Sequence, residues 1–222
     1  MELGEIEKNI ISYFLSTETG TISDLAGKTG YSIPTATKYL TLLINEGLLL
    51  CKGKTAEERG RQAAIYGIQP AYGYFIGVDI KHNELLIAAM DFSGVQLGLE
   101  REAINFENTP EMLETICLHI EAFILRSALP RENIRSININ ISGRVNIYRG
   151  ESFSVFHFED FSGPLTETLS ARLGIKTFIE NDTRAMAFAE LVEGTAKGLE
   201  YALFINAGWG IGMSVVSRGK IY

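Results

Sequence analysis

The stretch Thr177-Phe178-Ile179-Glu180-Asn181-Asp182-Thr183-Arg184-Ala185-Met186-Ala187-Phe188-Ala189-Glu190-Leu191-Val192 changes character in its middle. Its β-branched and aromatic start predicts a short strand over 177–179, and its alanine-rich run predicts a helix over 184–192. Between them, Asn181-Asp182 offers side-chain oxygens that can cap a helix. A strand leading into a helix is a building block of α/β folds. It puts the two polar residues at the carboxyl end of a strand, where open α/β sheets gather their ligands.

The same alternation extends outward. Upstream, residues 165–173 read as a helix, and 134–141 alternates isoleucine with polar residues as a strand does. Residues 109–129 carry Met112, Ile116, Ile120 and Phe123 at helical spacing, with Thr109 as cap and Pro110 just inside it. Before them, 75–80, 84–91 and 95–104 are three consecutive strand candidates, with Ser93-Gly94 as a turn. Downstream, 201–205 and 211–216 are strands around a glycine turn. The order is βββαβαβαββ, an α/β plan.

The first 70 residues differ. Ile6, Ile10 and Phe14 recur every fourth residue and line a first helix. A second helix follows the cap Thr21 and ends at Gly30, and a third starts at Ser32 with Pro34 in its first turn and buries Ala36, Leu40 and Leu43. Strands at 48–52 and 64–68, joined by the polar loop 53–62, complete a winged helix-turn-helix. A boundary near Gln69-Pro70 divides this domain, 1–70, from 71–222. Charge follows the same division, for 28–61 has six basic and three acidic residues, whereas 71–222 has 13 basic and 19 acidic.

A helix entering the major groove needs short polar or cationic side chains near its N-terminus, and Ser32, Thr35, Thr37 and Lys38 meet that need. The plainer reading makes them the wet side of a surface helix. In Arg59-Gly60-Arg61-Gln62, Arg61 suits a narrow minor groove, and a solvated loop is the equal alternative.

Composition sets limits. The chain has 222 residues, 46% of them hydrophobic, with 27 acidic and 20 basic and a net charge of −7, which argues against a nucleic-acid binder that is basic throughout. Cys51 and Cys117 form no CxxC pair, and His82, His119 and His157 have no metal-ligand spacing, so no metal site is expected. The acidic start is unlike a signal peptide, and the uncharged stretch 201–217 is short for a membrane span, so a cytoplasmic protein is expected.

Residues 179–190 resemble the I-E-N-D-A-N-A-A-A-x-A-E segment of the ROK family of repressors, uncharacterised reading frames and sugar kinases. Gly77-Val78-Asp79-Ile80, Gly143-Arg144-Val145-Asn146 and Gly208-Trp209-Gly210-Ile211-Gly212 support the likeness in order. Gly60-Arg61 is similar to the G-R-P of the family's repressor wing, with Gln62 in place of proline. The resemblance implies an actin-like, ribonuclease-H-type ATPase fold with a sugar cleft between two lobes.

In the family's kinases the first strand ends in D-I-G-G-T, whose glycines let backbone N–H groups approach ATP phosphates. Here Asp79-Ile80 is followed by Lys81, His82 and Asn83, and Trp209 interrupts the second phosphate loop at Gly208, Gly210 and Gly212. Lys81 reads either as a phosphate ligand in its own right or as a solvated turn lysine. With both loops degenerate, no catalytic residue and no kinase activity are expected. Asp182, the base of the kinases, and Asn181 would instead hold sugar hydroxyls, with the backbone of Gly143 nearby. The structural alternative is that Asn181-Asp182 only caps its helix.

The resemblance thus implies a sugar-responsive transcriptional repressor whose partners are operator DNA and a sugar or sugar-phosphate effector. It would act as a homodimer or higher homo-oligomer, away from membranes; the rival is a sugar kinase. No cofactor is expected in this chain. The family's histidine- and cysteine-rich zinc motif lies beyond its end, so zinc is expected only with a longer C-terminal region.

Overall fold

The computed structural model describes residues 3–55, 62–158, 163–208 and 210–222. Two compact units emerge, one running to Tyr74 and including Met90–Gln96, the other comprising Phe75–Ala89 and Leu97–Tyr222.

In the first unit, α1 (Glu5–Thr17) turns Ile10 and Phe14 inward, and Ile6 packs against the same core at partial burial. A two-residue strand, β1 (Thr19–Gly20), leads to α2 (Ile22–Thr29). Thr21 and Asp24 form a reciprocal capping box there, and Gly30, at φ +76°, closes the helix in the left-handed conformation that glycine adopts without strain. Helix α3 (Ile33–Asn45) starts at Ser32, whose hydroxyl accepts the Thr35 N–H, and buries Ala36, Leu40 and Leu43. Strands β2 (Leu49–Lys54) and β3 (Ala64–Ile68) pair antiparallel, and β1 adds to β3, giving the order β1-β3-β2. Phe14, Leu25, Leu40, Leu43, Leu49 and Ile68 meet in one core, each worth roughly 1.5–3 kcal/mol of burial. The segment Met90–Gln96 belongs here because the Phe92 ring packs at a tilt 4.9 Å from Tyr72 and its N–H donates to the Pro70 carbonyl. A single cut at Pro70 therefore does not describe the division.

The second unit contains most of β4 (Tyr74–Ile80), β5 (Glu84–Asp91) and β6 (Gln96–Ala103), whose residues Tyr74, Met90, Asp91 and Gln96 count with the first, and all of α4 (Pro110–Ser127) and β7 (Ile134–Ile141). The short β8 (Val145–Asn146) and β9 (Glu151–Ser152) pair with each other. Then come α5 (Leu165–Leu173), β10 (Thr177–Asn181) and α6 (Asp182–Val192). The main sheet has the order β10-β7-β4-β5-β6, and β10 runs parallel to β7 through the α5 crossover. Last, β11 (Tyr201–Ala207), β12 (Ile211–Ser217) and β13 (Lys220–Ile221) form an antiparallel sheet. One side of it, with Tyr201, Leu203, Ile205, Ile211 and Met213, is exposed and apolar. Among the described residues no helix is long and apolar enough to cross a membrane.

Candidate functional site

A cavity of about 900 Å³ opens in the second unit where β4, β7 and β10 end. It is lined by Asp79, Lys81, Gly143, Asn181, Asp182, Gly208, Gly210 and Gly212, residues spread over more than half of the chain. Arg144, Phe106, Val155, Thr183 and Asn206 also line it, none singled out as a contact from sequence. Arg144 stands in the Gly143 motif and was within reach of that reading, whereas Phe106 and Val155 carry no motif signal.

The junction of β10 and α6 builds one wall. Helix α6 begins at Asp182, two residues earlier than its alanine content suggests, because Asn181 takes the N-cap position and accepts the Arg184 N–H at 3.0 Å. The Asn181 amide donates to the Gly143 carbonyl at 2.9 Å and to Asp182 Oδ1 at 3.1 Å. Both of its donors are thus used within the protein, and Asn181 ties the β7 and β10 ends together rather than offering a free amide. Asp182 Oδ1 accepts from the Thr183 N–H and hydroxyl, while Oδ2 has no hydrogen-bond partner among the described residues. One carboxylate oxygen is therefore left to accept a donor from the cavity.

Gly143 is fixed by two constraints. Its φ of +88° suits glycine, and a Cβ there would lie 2.7 Å from the Ser154 side chain. Arg144 lies with its guanidinium carbon 5.1 Å from the centre of the Phe153 ring.

Asp79 ends the opposite wall. Burial pushes its carboxyl above the usual range, Lys81 opposes that shift, and the Asp182 charge adds to it. Lys81 Nζ lies 3.7 Å from Asp79 and 4.0 Å from Glu84, so this lysine sits beside the acids it partly neutralises. Arg184 is paired with Glu180 at 3.1 Å and donates to the Tyr222 carbonyl. The Lys81 N–H is taken by the Glu84 carbonyl.

The glycines of the last hairpin are not alike. A Cβ on Gly212 would collide with Thr183 Oγ1, so this glycine lets β12 approach the start of α6. Among the described residues nothing crowds Gly208 or Gly210, and neither has a positive φ. Trp209 lies outside the described residues, as does Arg61. No group of three or more His, Cys, Asp or Glu among the described residues is placed to hold a metal.

In the first unit, Ser32, Thr37 and Lys38 are exposed on α3 and Thr35 is half-buried. Ser32 and Thr35 share a 2.9 Å hydroxyl contact at the helix start, and the Thr37 hydroxyl donates to the Ile33 carbonyl. Lys38 Nζ lies 5.4 Å from the centre of the Tyr39 ring.

The model of the ROK family matches residues 75–222. The DNA-binding transcriptional repressor Mlc of Escherichia coli K12 is 24% identical over 169 residues, which is 76% of this chain and 42% of that protein. A putative xylose repressor of Caldicellulosiruptor sp. strain Rt8B.4 is 25% identical over 181 residues, 81% of this chain and 45% of the relative. The crystal structure of a ROK family transcriptional regulator, a homologue of the E. coli Mlc protein, superposes with a TM-score of 0.75 at 24% identity, over 98% of this chain and 54% of that one. That likeness shows the α/β fold. The chain spans about half the length of the curated relatives it matches.

Proposed function

The chain belongs to the ROK family, and we propose that within it the chain works as a sugar-responsive transcriptional repressor rather than as a kinase. In this reading the first unit is a winged helix-turn-helix whose α3 enters the major groove of operator DNA, with Ser32, Thr35, Thr37, Lys38 and Arg61 toward the nucleic acid. A homodimer in the cytoplasm presents two such helices to the two halves of an operator. The sugar or sugar phosphate enters the cavity of the second unit and weakens DNA binding. For that it must bind the DNA-free state better than the DNA-bound one, since equal affinity shifts nothing.

The observation that carries the reading is Asp182, whose Oδ2 has no partner among the described residues, lining a cavity whose phosphate-loop positions bear Lys81 and His82. An ionised carboxylate accepts hydrogen bonds only, and a sugar presents hydroxyl donors. The side chains at 81 and 82 stand where backbone N–H groups would have to approach nucleotide phosphates. The names of the relatives, a DNA-binding repressor and a xylose repressor, point the same way.

A preferred duplex selected from a random DNA pool, labelled for fluorescence anisotropy and titrated with the whole protein, tests the proposal. The complex should weaken with rising salt and dissociate on addition of one sugar from a panel of pentoses, hexoses and their phosphates. Failure to enrich any duplex contradicts the proposal. So does sugar-dependent ATP consumption at ~1–100 s⁻¹, the ordinary range of kinases.

A further inference from the structure

Asn108 does not line the cavity, yet it holds the wall that does. It precedes Thr109, the cap of α4, and its side chain reaches across to the loop after β9. Asn108 Oδ1 accepts the Phe156 N–H at 2.7 Å, and Nδ2 donates to the Ser154 carbonyl at 3.4 Å. Phe156 stands at φ +57°, a left-handed conformation that a bulky aromatic residue avoids unless its surroundings impose it. Its ring is 2% exposed and lies edge-on to Phe106 at 5.5 Å, which anchors the side chain while Asn108 anchors the backbone.

The consequence runs inward. The Ser154 hydroxyl accepts the Arg144 N–H at 3.3 Å, and the Phe153 N–H donates to the Arg144 carbonyl at 3.0 Å. Ser154 also packs against the bare face of Gly143, whose carbonyl accepts from Asn181 next to Asp182. From Asn108 to Asp182 the links among the described residues are therefore hydrogen bonds and one close packing contact, between Ser154 and Gly143.

We propose that Asn108 is a positioning residue of the ligand site: by imposing the left-handed turn at Phe156 it fixes the 142–156 loop, and with it Gly143 and Arg144, for the sugar. The inference rests on the reading of the cavity as a sugar site. Asn108 acts through the loop and makes no contact with the ligand. The bond to Phe156 is the shorter of its two, so an acceptor at position 108 should suffice for most of the effect.

Two measurements on the whole protein separate this role from a merely structural one. Hydrogen exchange should rise locally in Asn108→Ala, at 143–144 and 153–156, and remain near wild type in β4, β7 and β10. Calorimetric titration with D-xylose, D-glucose and D-glucose 6-phosphate should show about tenfold weaker binding of whichever the wild type takes. Asn108→Asp, which keeps an acceptor for Phe156, should recover most of both effects. Asp182→Asn serves as the control for the site itself. If Asp182→Asn weakens binding and Asn108→Ala does not, the sugar site stands and the role of Asn108 is overturned. If the wild type binds none of the three, the sugar reading is what fails, and unchanged exchange at 153–156 then overturns the loop role separately.

Discussion

Asp79 holds its proton to higher pH than an ordinary carboxyl because burial outweighs the nearby Lys81 and the Asp182 charge adds to the effect. An acid whose pKa is raised on folding binds more protons folded than unfolded, so its contribution to stability falls as pH rises from the ordinary carboxylate range through the folded value. Above that value the ionised group is a standing cost. Asp79→Asn should therefore flatten the fall in urea midpoint between the ordinary carboxylate range and neutral pH, and leave stability at neutral pH no lower than in the wild type. A variant with an unchanged pH slope and a lower midpoint at neutral pH would mean that the Lys81 pair dominates instead. At this scale the sequence singles out Gly143, Asn181 and Asp182, and all three line the cavity. Their internal bonding was not. That Asn181 spends one amide donor on the Gly143 carbonyl, 38 positions away, is not readable locally, because no local pattern carries that distance.

The β11–β12 hairpin and α6 meet through one glycine. Gly212 gives way to Thr183, whereas Gly210 has nothing within reach among the described residues, so the two should respond differently to the same substitution. Gly212→Ala should lower stability by about 1–3 kcal/mol, the cost of an overpacked contact, and Gly210→Ala should stay within about 0.5 kcal/mol of wild type. Equal effects in chemical denaturation would contradict the packing role given to Gly212. Elements with caps and long periodic faces are readable from sequence, as with Thr21, Ser32 and Thr109, each a side chain that satisfies an otherwise unpaired helix N–H. Strands β1, β8, β9 and β13 are not, because two residues cannot display an alternation. Helix α6 starts early for a physical reason as well: an acid in the first turn, Asp182, is favoured by the positive end of the helix dipole.

Across the whole molecule charge is unevenly spread, with the basic excess near the third helix and its hairpin and the acidic excess in residues 71–222. The α/β order is legible in the periodicities, but the membership of Met90–Gln96 in the first unit is not, since it arises from Phe92 packing against Tyr72. If α3 carries the DNA contacts, Lys38→Ala should reduce the salt slope of binding by about one for a phosphate contact, or cost about 1–3 kcal/mol on a preferred site for a base contact. Affinity and slope both equal to wild type would remove Lys38 from the interface. The proposed sugar site is tested most directly by calorimetric titration of the sugar panel into wild type and Asp182→Asn. Asparagine keeps an oxygen for the Thr183 N–H and leaves the Asn181 cap in place, so stability should change by no more than about 1 kcal/mol. Loss of a charge-assisted bond worth roughly 1.5–3 kcal/mol should weaken the bound sugar about ten- to hundredfold. Sugar affinity in Asp182→Asn equal to that of the wild type would contradict the assignment and leave Asp182 with only its place in the first turn of α6.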